Sequence, residues 1–192
     1  MLSAPVISAD CLILRKALDD DREGLIELQT DPQVRTYLGG PRPRAAVEQY
    51  LDAVGMADVT AAPGAYVIAD KTTNRLIGTL TLHRRSADQP GHITEDADEL
   101  ELSYVLRHRA WGMGLAFEAT TAALRAAADE LPDEPVLLVT QTANHRSLKL
   151  AARLGFHPVG TFEEFGAQQT LATAGLHTFK SRSNRTGNIR SQ

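Results

Sequence analysis

The segment from Glu99 to Glu130 limits the possible folds more than any other. An alternating polar and apolar stretch (ELELSYVL) runs through Arg107-His108-Arg109-Ala110-Trp111-Gly112-Met113-Gly114 into an alanine-rich stretch from Leu115 to Glu130, which Leu131-Pro132 stops. Alternation with period two marks a strand and the alanine-rich run a helix. The chain must therefore join a strand to a helix through a turn that contains two glycines. At a helix entrance such a turn can point successive backbone N–H groups at one spot, where the helix dipole adds partial positive charge. That geometry suits a diphosphate, although the same residues can also make a tight turn and nothing more. A Gly-Lys-Ser/Thr phosphate loop is absent, and a dinucleotide fingerprint would need glycine where Phe117 stands.

The flanking pattern alternates between the two element types. Residues 11–15 (CLILR) read as an opening strand, followed by helices over Asp19 to Gln29, Gln33 to Leu38 and 44–58. Ala65 to Ala69 and Leu76 to Leu82 read as an antiparallel hairpin, and residues 84–98 as a polar loop. Val136 to Thr140 is an apolar strand, and Ser147 to Leu154 a helix that Gly155 caps. Phe156 to Phe165 and Thr170 to Lys180 read as a closing hairpin. With 192 residues, one domain over 1–180 is expected, and the polar, patternless residues 181–192 read as a disordered tail.

Composition excludes several classes. A net charge of −4 is too small and of the wrong sign for a generic nucleic-acid binder, so no DNA partner is expected. No stretch approaches the roughly 18 apolar residues of a membrane span, and the first ten residues lack a basic-then-apolar leader, which predicts a cytoplasmic protein without a membrane partner. The single cysteine, Cys11, precedes Leu12-Ile13-Leu14, which predicts a buried, inert thiol and no internal disulfide. The six histidines show no ligand spacing, so no metal site is expected.

A second segment adds to the first. After apolar strand 136–140 come Asn144-His145-Arg146-Ser147, a helix, and Leu154-Gly155-Phe156. Arg109-x-x-Gly112-x-Gly114, Asn144-x-x-Ser147 and Leu154-Gly155-Phe156, in that order, resemble the two cofactor segments of the GNAT superfamily of acetyltransferases. Leu12-Ile13-Leu14-Arg15, Asp31-Pro32-Gln33-Val34, Glu101-Leu102-Ser103-Tyr104 and Trp111 extend the likeness toward its Rim-type ribosomal-protein alanine acetyltransferases, over about residues 11 to 165. The resemblance implies an α/β fold with a mixed, mostly antiparallel central sheet, two splayed parallel strands and flanking helices. It also implies acetyl-coenzyme A as co-substrate.

By the same resemblance, Tyr104, Val105 and Leu106 would hold the pantetheine arm with their opened backbone. Arg109, Trp111, Gly112, Met113, Gly114, Leu115 and Ala116 would form the diphosphate loop, with Trp111 as its brace. Asn144 would reach the pantetheine region or position Ser147, and it can also cap its helix. Glu118, in the first helical turn, reads as structural.

Transfer to an amine needs a proton acceptor, a group that meets the oxyanion and one that meets the thiolate. Glu101 matches the family's strand carboxylate and is the expected base, acting directly if buried or through a water, with Glu99 as the alternative. A backbone N–H near Val105 would meet the oxyanion. Ser147 stands where relatives carry a serine, while Leu150 and Ala151 occupy the region in which many relatives carry a tyrosine. The expected acceptor is a small-molecule amine or a protein N-terminus, on a monomer or homodimer; Asp88, Glu95, Asp96, Asp98, Glu99 and Glu101 either favour a cationic amine or form a solvated acidic loop. A domain that binds acetyl-coenzyme A as a sensor without catalysis is the competing reading.

Overall fold

A computed structural model describes residues 1–180, so the reading of 181–192 as a tail lies outside the described residues. The strands are β1 (Ile7–Ser8), β2 (Leu12–Arg15), β3 (Ala65–Asp70), β4 (Leu76–Arg84), β5 (Leu100–Leu106), β6 (Pro135–Gln141), β7 (His157–Glu164) and β8 (Ala167–Gly175). The helices are α1 (Arg22–Thr30), α2 (Arg44–Val54), α3 (Leu115–Glu130) and α4 (His145–Leu154). The strands form one sheet in the order β1-β2-β3-β4-β5-β6-β8-β7, antiparallel throughout except for the β5–β6 pair. This is the mixed sheet with one parallel pair and flanking helices that the resemblance implies.

The sheet is covered on both faces at β3, which is apolar and buried from Ala65 to Ala69. Along β3, Tyr66 and Ile68 enter one core cluster with Leu80, Leu82, Leu100 and Leu102, while Val67 and Ala69 enter another. Alternate strand residues point to opposite faces. The first cluster lies under α3 and α4, through Ala119, Ala123, Leu124, Ala151 and Leu154. The second lies under α1 and α2, through Leu25, Ile26, Leu28, Val47 and Leu51. Among the described residues, no helix is long and apolar enough to cross a membrane.

The parallel pair is the feature that shapes a site. β5 and β6 are in register only at Leu100 with Val136 and Glu101 with Leu137. Beyond these, β5 runs on to Leu106 against β4 and β6 runs on to Gln141 against β8, so the two strands part like a V. From Leu102 onward, the β5 edge that faces β6 carries no ladder.

Several local expectations are corrected. Gln33 to Leu38 is a series of turns: Asp31 Oδ1 accepts from the N–H groups of Gln33 (2.7 Å) and Val34 (3.2 Å), and the backbone bonds of Arg35 to Asp31, Thr36 to Gln33, Leu38 to Arg35 and Gly40 to Arg35 mix spans instead of repeating a helical one. The Arg35 guanidinium closes this turn onto the carbonyls of Leu38 and Gly40. The helix expected to reach residue 58 stops at Val54, because Gly55 turns left-handed at φ 81° and a 3-10 turn over Met56–Thr60 follows. The closing hairpin is tighter than expected, joined at Phe165-Gly166 with φ 53° and 70°, and its second strand ends at Gly175 rather than Lys180. Cys11 is exposed, since it precedes the first buried strand position, Leu12. Its N–H, with that of Leu12, donates to Glu118 Oε1 at 2.6 and 3.0 Å, which gives Glu118 the structural role expected of it.

Candidate functional site

The V between β5 and β6 has the start of α3 on one side and the start of α4 on the other. The β5 chain leaves its strand through a 3-10 turn over His108–Ala110, and Gly112 and Gly114 both adopt positive φ, 78° and 80°. Such angles suit glycine because an L side chain there crowds the following carbonyl. A Cβ built on either glycine would meet no atom within 4 Å, so the loop stands open. Gly112, Met113 and Gly114 are exposed, and Leu115 and Ala116 half-buried. The N–H groups of residues 112–116 reach no backbone acceptor among the described residues, as expected for the first turn of a helix. Open donors and the positive end of a sixteen-residue helix meet at this point.

Trp111 holds the loop to the sheet. Its Nε1 donates to the Leu106 carbonyl at 2.9 Å, its ring packs against both core clusters, and the Arg146 guanidinium lies 4.8 Å from its ring centre. This is the brace expected of it, and it occupies the carbonyl of Leu106. Arg109 is exposed beside the loop. Arg107, which no motif singled out, is structural: it pairs with Glu27 and donates to the Leu76 carbonyl at 3.1 Å.

On the α4 side, Asn144 Oδ1 accepts from the Ser147 N–H at 3.2 Å, and Asn144 Nδ2 donates to Thr140 Oγ1 at 3.2 Å. Asn144 thus caps α4 and ties it to β6. Ser147 Oγ lies 2.9 Å from the Tyr104 hydroxyl of β5, so a hydrogen bond crosses the opening of the V. Burial holds the Tyr104 hydroxyl above its ordinary pKa, against a smaller opposite pull from Ser147.

Glu101 lies on the other face. Strand alternation puts Tyr104 with the α3 and α4 cluster, whereas Glu101 and Val105 point away from it, Val105 toward the α1 and α2 cluster. The structure therefore brings Tyr104, Ser147, Asn144, Trp111 and the 112–116 loop to one face of the sheet and leaves Glu101 on the other. Glu101 is buried, with Oε2 accepting from Arg85 Nη1 at 2.7 Å, and His83 Nε2 lies 3.9 Å from the same oxygen, too far for a hydrogen bond. Arg85 is only 3% exposed; it also lies 3.5 Å from Glu164 and donates to the Pro90 carbonyl. Among the described residues, Glu101 Oε1 has no hydrogen-bond partner.

Glu99, the alternative base, has both carboxylate oxygens engaged. Its Oε1 accepts from the Ile93 and Thr94 N–H groups and the Thr94 hydroxyl, and its Oε2 lies 2.6 Å from His92 Nδ1. Burial alone would raise its pKa, but these bonds outweigh it and hold the carboxyl at about 2. Glu99 anchors the 85–98 loop. With Glu99 and Glu101 turned inward and Asp98 near Arg84, only Asp88, Glu95 and Asp96 of the acidic run remain exposed away from such partners. The charge available to attract a cation is smaller than the sequence suggests.

His83 was missed by sequence reasoning. It pairs across the β4–β5 ladder with Glu101, and its Nδ1 is buried without a partner among the described residues. The signal would have been strand parity, but the register that puts His83 opposite Glu101 depends on how the 85–98 loop closes.

Comparisons with known proteins follow this geometry. A family model described as an acetyltransferase (GNAT) domain matches residues 12–157. Among solved structures, a GNAT-family acetyltransferase from Bacillus anthracis is similar with a TM-score of 0.71 at 18% identity, over 89% of this chain and 98% of that one. The RimL ribosomal L7/L12 alpha-N-protein acetyltransferase gives 0.66 at 15% identity, over 88% and 93%. A spermidine N-acetyltransferase from Vibrio cholerae, solved with CoA and spermine, gives 0.66 at 16% identity, over 88% and 97%. At these identities the likeness to solved structures is one of fold.

Proposed function

The chain belongs to the acetyltransferase (GNAT) family, and from that premise we propose that it moves an acetyl group from acetyl-coenzyme A to a primary amine in a ternary complex. The observation that carries this reading is the row of acceptor-free amides at residues 112–116, placed beside a parallel ladder that breaks after Glu101 and Leu137. These features fit the co-substrate. The open amides and helix dipole suit a diphosphate, and the unpaired edge of β5 suits an extended pantetheine arm that adds as a strand. When bound, acetyl-coenzyme A supplies a thioester whose carbonyl carbon the amine attacks.

The chain's own groups divide the remaining tasks. Gly112 to Ala116 grip the diphosphate, with Arg109 adding charge and Trp111 fixing the loop. Tyr104 and Leu106 present their backbone to the pantetheine edge, because the backbone of Val105 between them faces Thr79 of β4, and an N–H of this pair meets the oxyanion. Asn144 fixes the start of α4 and so the position of Ser147, which donates a hydrogen bond to the departing sulfur. Glu101 takes the amine proton through its free Oε1, directly or through one water, while Arg85 holds Oε2. The acceptor approaches from the Glu101 face, where Asp88, Glu95 and Asp96 favour a cationic amine; a polyamine and a protein N-terminus both meet that description.

The test is thiol release by purified protein with acetyl-coenzyme A and a panel of amines that includes polyamines and N-terminal peptides. Acceleration by at least one amine is expected. Cofactor binding with no acceleration by any amine would replace this reading with that of a sensor.

A further inference from the structure

The hydrogen bond between Tyr104 and Ser147 is the only one that the Ser147 hydroxyl makes among the described residues, and the roles assigned above do not use it. Resting on the acetyl-transfer reading above, we propose that Tyr104 is a positioning residue for the leaving thiolate: its hydroxyl donates to Ser147 Oγ and so leaves the Ser147 hydrogen free to point at the sulfur. The two groups come from different elements, β5 and the first turn of α4, with 43 residues between them. Tyr104 lies three positions beyond the last β5–β6 pair, where the strands have parted, so the bond spans the cleft.

The direction of the bond follows from the two hydroxyls. Each has one hydrogen and can accept. A phenol is a far stronger acid than an alkyl alcohol, so the favoured arrangement has Tyr104 donating and Ser147 accepting. Among the described residues Ser147 Oγ has no other hydrogen-bond partner, because Asn144 is bonded to the Ser147 N–H and not to its hydroxyl. The Ser147 hydrogen is then available for a new acceptor. Burial keeps Tyr104 protonated through the ordinary working range, which makes it a standing donor. As the C–S bond breaks, its electron pair stays on sulfur, which leaves as a thiolate. A thiol is a stronger acid than either hydroxyl, so both hydroxyl protons remain on their oxygens. If Tyr104 loses its proton at high pH, it becomes an acceptor and captures the Ser147 hydrogen. The sulfur then loses its donor.

The experiment compares wild type, Tyr104→Phe, Ser147→Ala and the double variant in acetyl transfer, with melting temperatures to confirm folding. Tyr104→Phe keeps the ring and should lower kcat about tenfold, with the KM for acetyl-coenzyme A essentially unchanged. Ser147→Ala should lose at least as much, and adding Tyr104→Phe to it should cost nothing further. A fluorinated, more acidic tyrosine at position 104 should move the high-pH fall of kcat to lower pH, which a merely structural ring would not do. Wild-type kcat in Tyr104→Phe, fully additive losses in the double variant, or a fall that fluorination does not move would each overturn the proposal while leaving acetyl transfer intact. A wild-type protein that transfers acetyl to no amine would overturn both.

Discussion

Replacing Gly112 by aspartate and, separately, by alanine separates charge from shape in the proposed diphosphate loop. Gly112 sits at φ 78°, and a Cβ there meets nothing within 4 Å. Both variants therefore carry a left-handed strain of about 1 kcal/mol, paid in stability, and neither clashes with the protein. Only aspartate adds a charge. The loop is exposed, so a water-like dielectric applies, and a carboxylate about 5 Å from each of two diphosphate charges is repelled by about 0.8 kcal/mol per pair. The sum is about 1.7 kcal/mol, which corresponds to a roughly 15-fold weaker Kd, while alanine should stay within about threefold of wild type. Calorimetric titration with coenzyme A at about 0.1 M and about 1 M salt reads this directly, because screening shortens from about 10 Å to about 3 Å and most of the aspartate deficit should vanish. Equal losses in both variants, or an aspartate loss that salt does not relieve, would refute the idea that these amides grip a diphosphate.

Three further outcomes are expected. Glu101→Gln should lower kcat by on the order of 10²-fold with coenzyme affinity kept, as transfer assays and calorimetry would show; an unchanged kcat takes Glu101 out of the mechanism. Glu99 has a folded-state pKa of about 2, below its ordinary 4.5, so folding favours its charged form. Its stabilisation of about 3 kcal/mol is complete above pH 4.5 and is lost as pH falls toward 2, so Glu99→Gln should flatten acid unfolding curves between pH 5 and 2. Asn144→Ala removes the α4 cap and should cost about 1 kcal/mol, lowering Tm by about 2–4 °C in a calorimetric scan; an unchanged Tm would show that the cap contributes little.

The parts of the molecule that were legible in the sequence are those set by local physics. Period-two alternation marked β5, the alanine-rich run ending at Leu131-Pro132 gave α3 its observed bounds, and Asn144 three residues before Ser147 announced a helix cap. The glycines at 112 and 114 marked the open turn because only a residue without Cβ adopts those angles cheaply. Local signals also misled where competing bonds were weak to read. Asp31 and the glycines at 39 and 40 turned an expected helix into turns, and Phe165-Gly166 made a two-residue hairpin turn without the usual asparagine or aspartate.

By itself, then, the sequence determined the order of elements, the glycine turn at the helix entrance and the family resemblance, since each depends on residues within a few positions of one another. Only the tertiary structure decided which carboxylate is anchored and which keeps a free oxygen, that His83 stands opposite Glu101, and that Tyr104 meets Ser147. Those outcomes depend on strand register and on where the β5–β6 ladder breaks, and both are settled by how distant segments pack across the sheet.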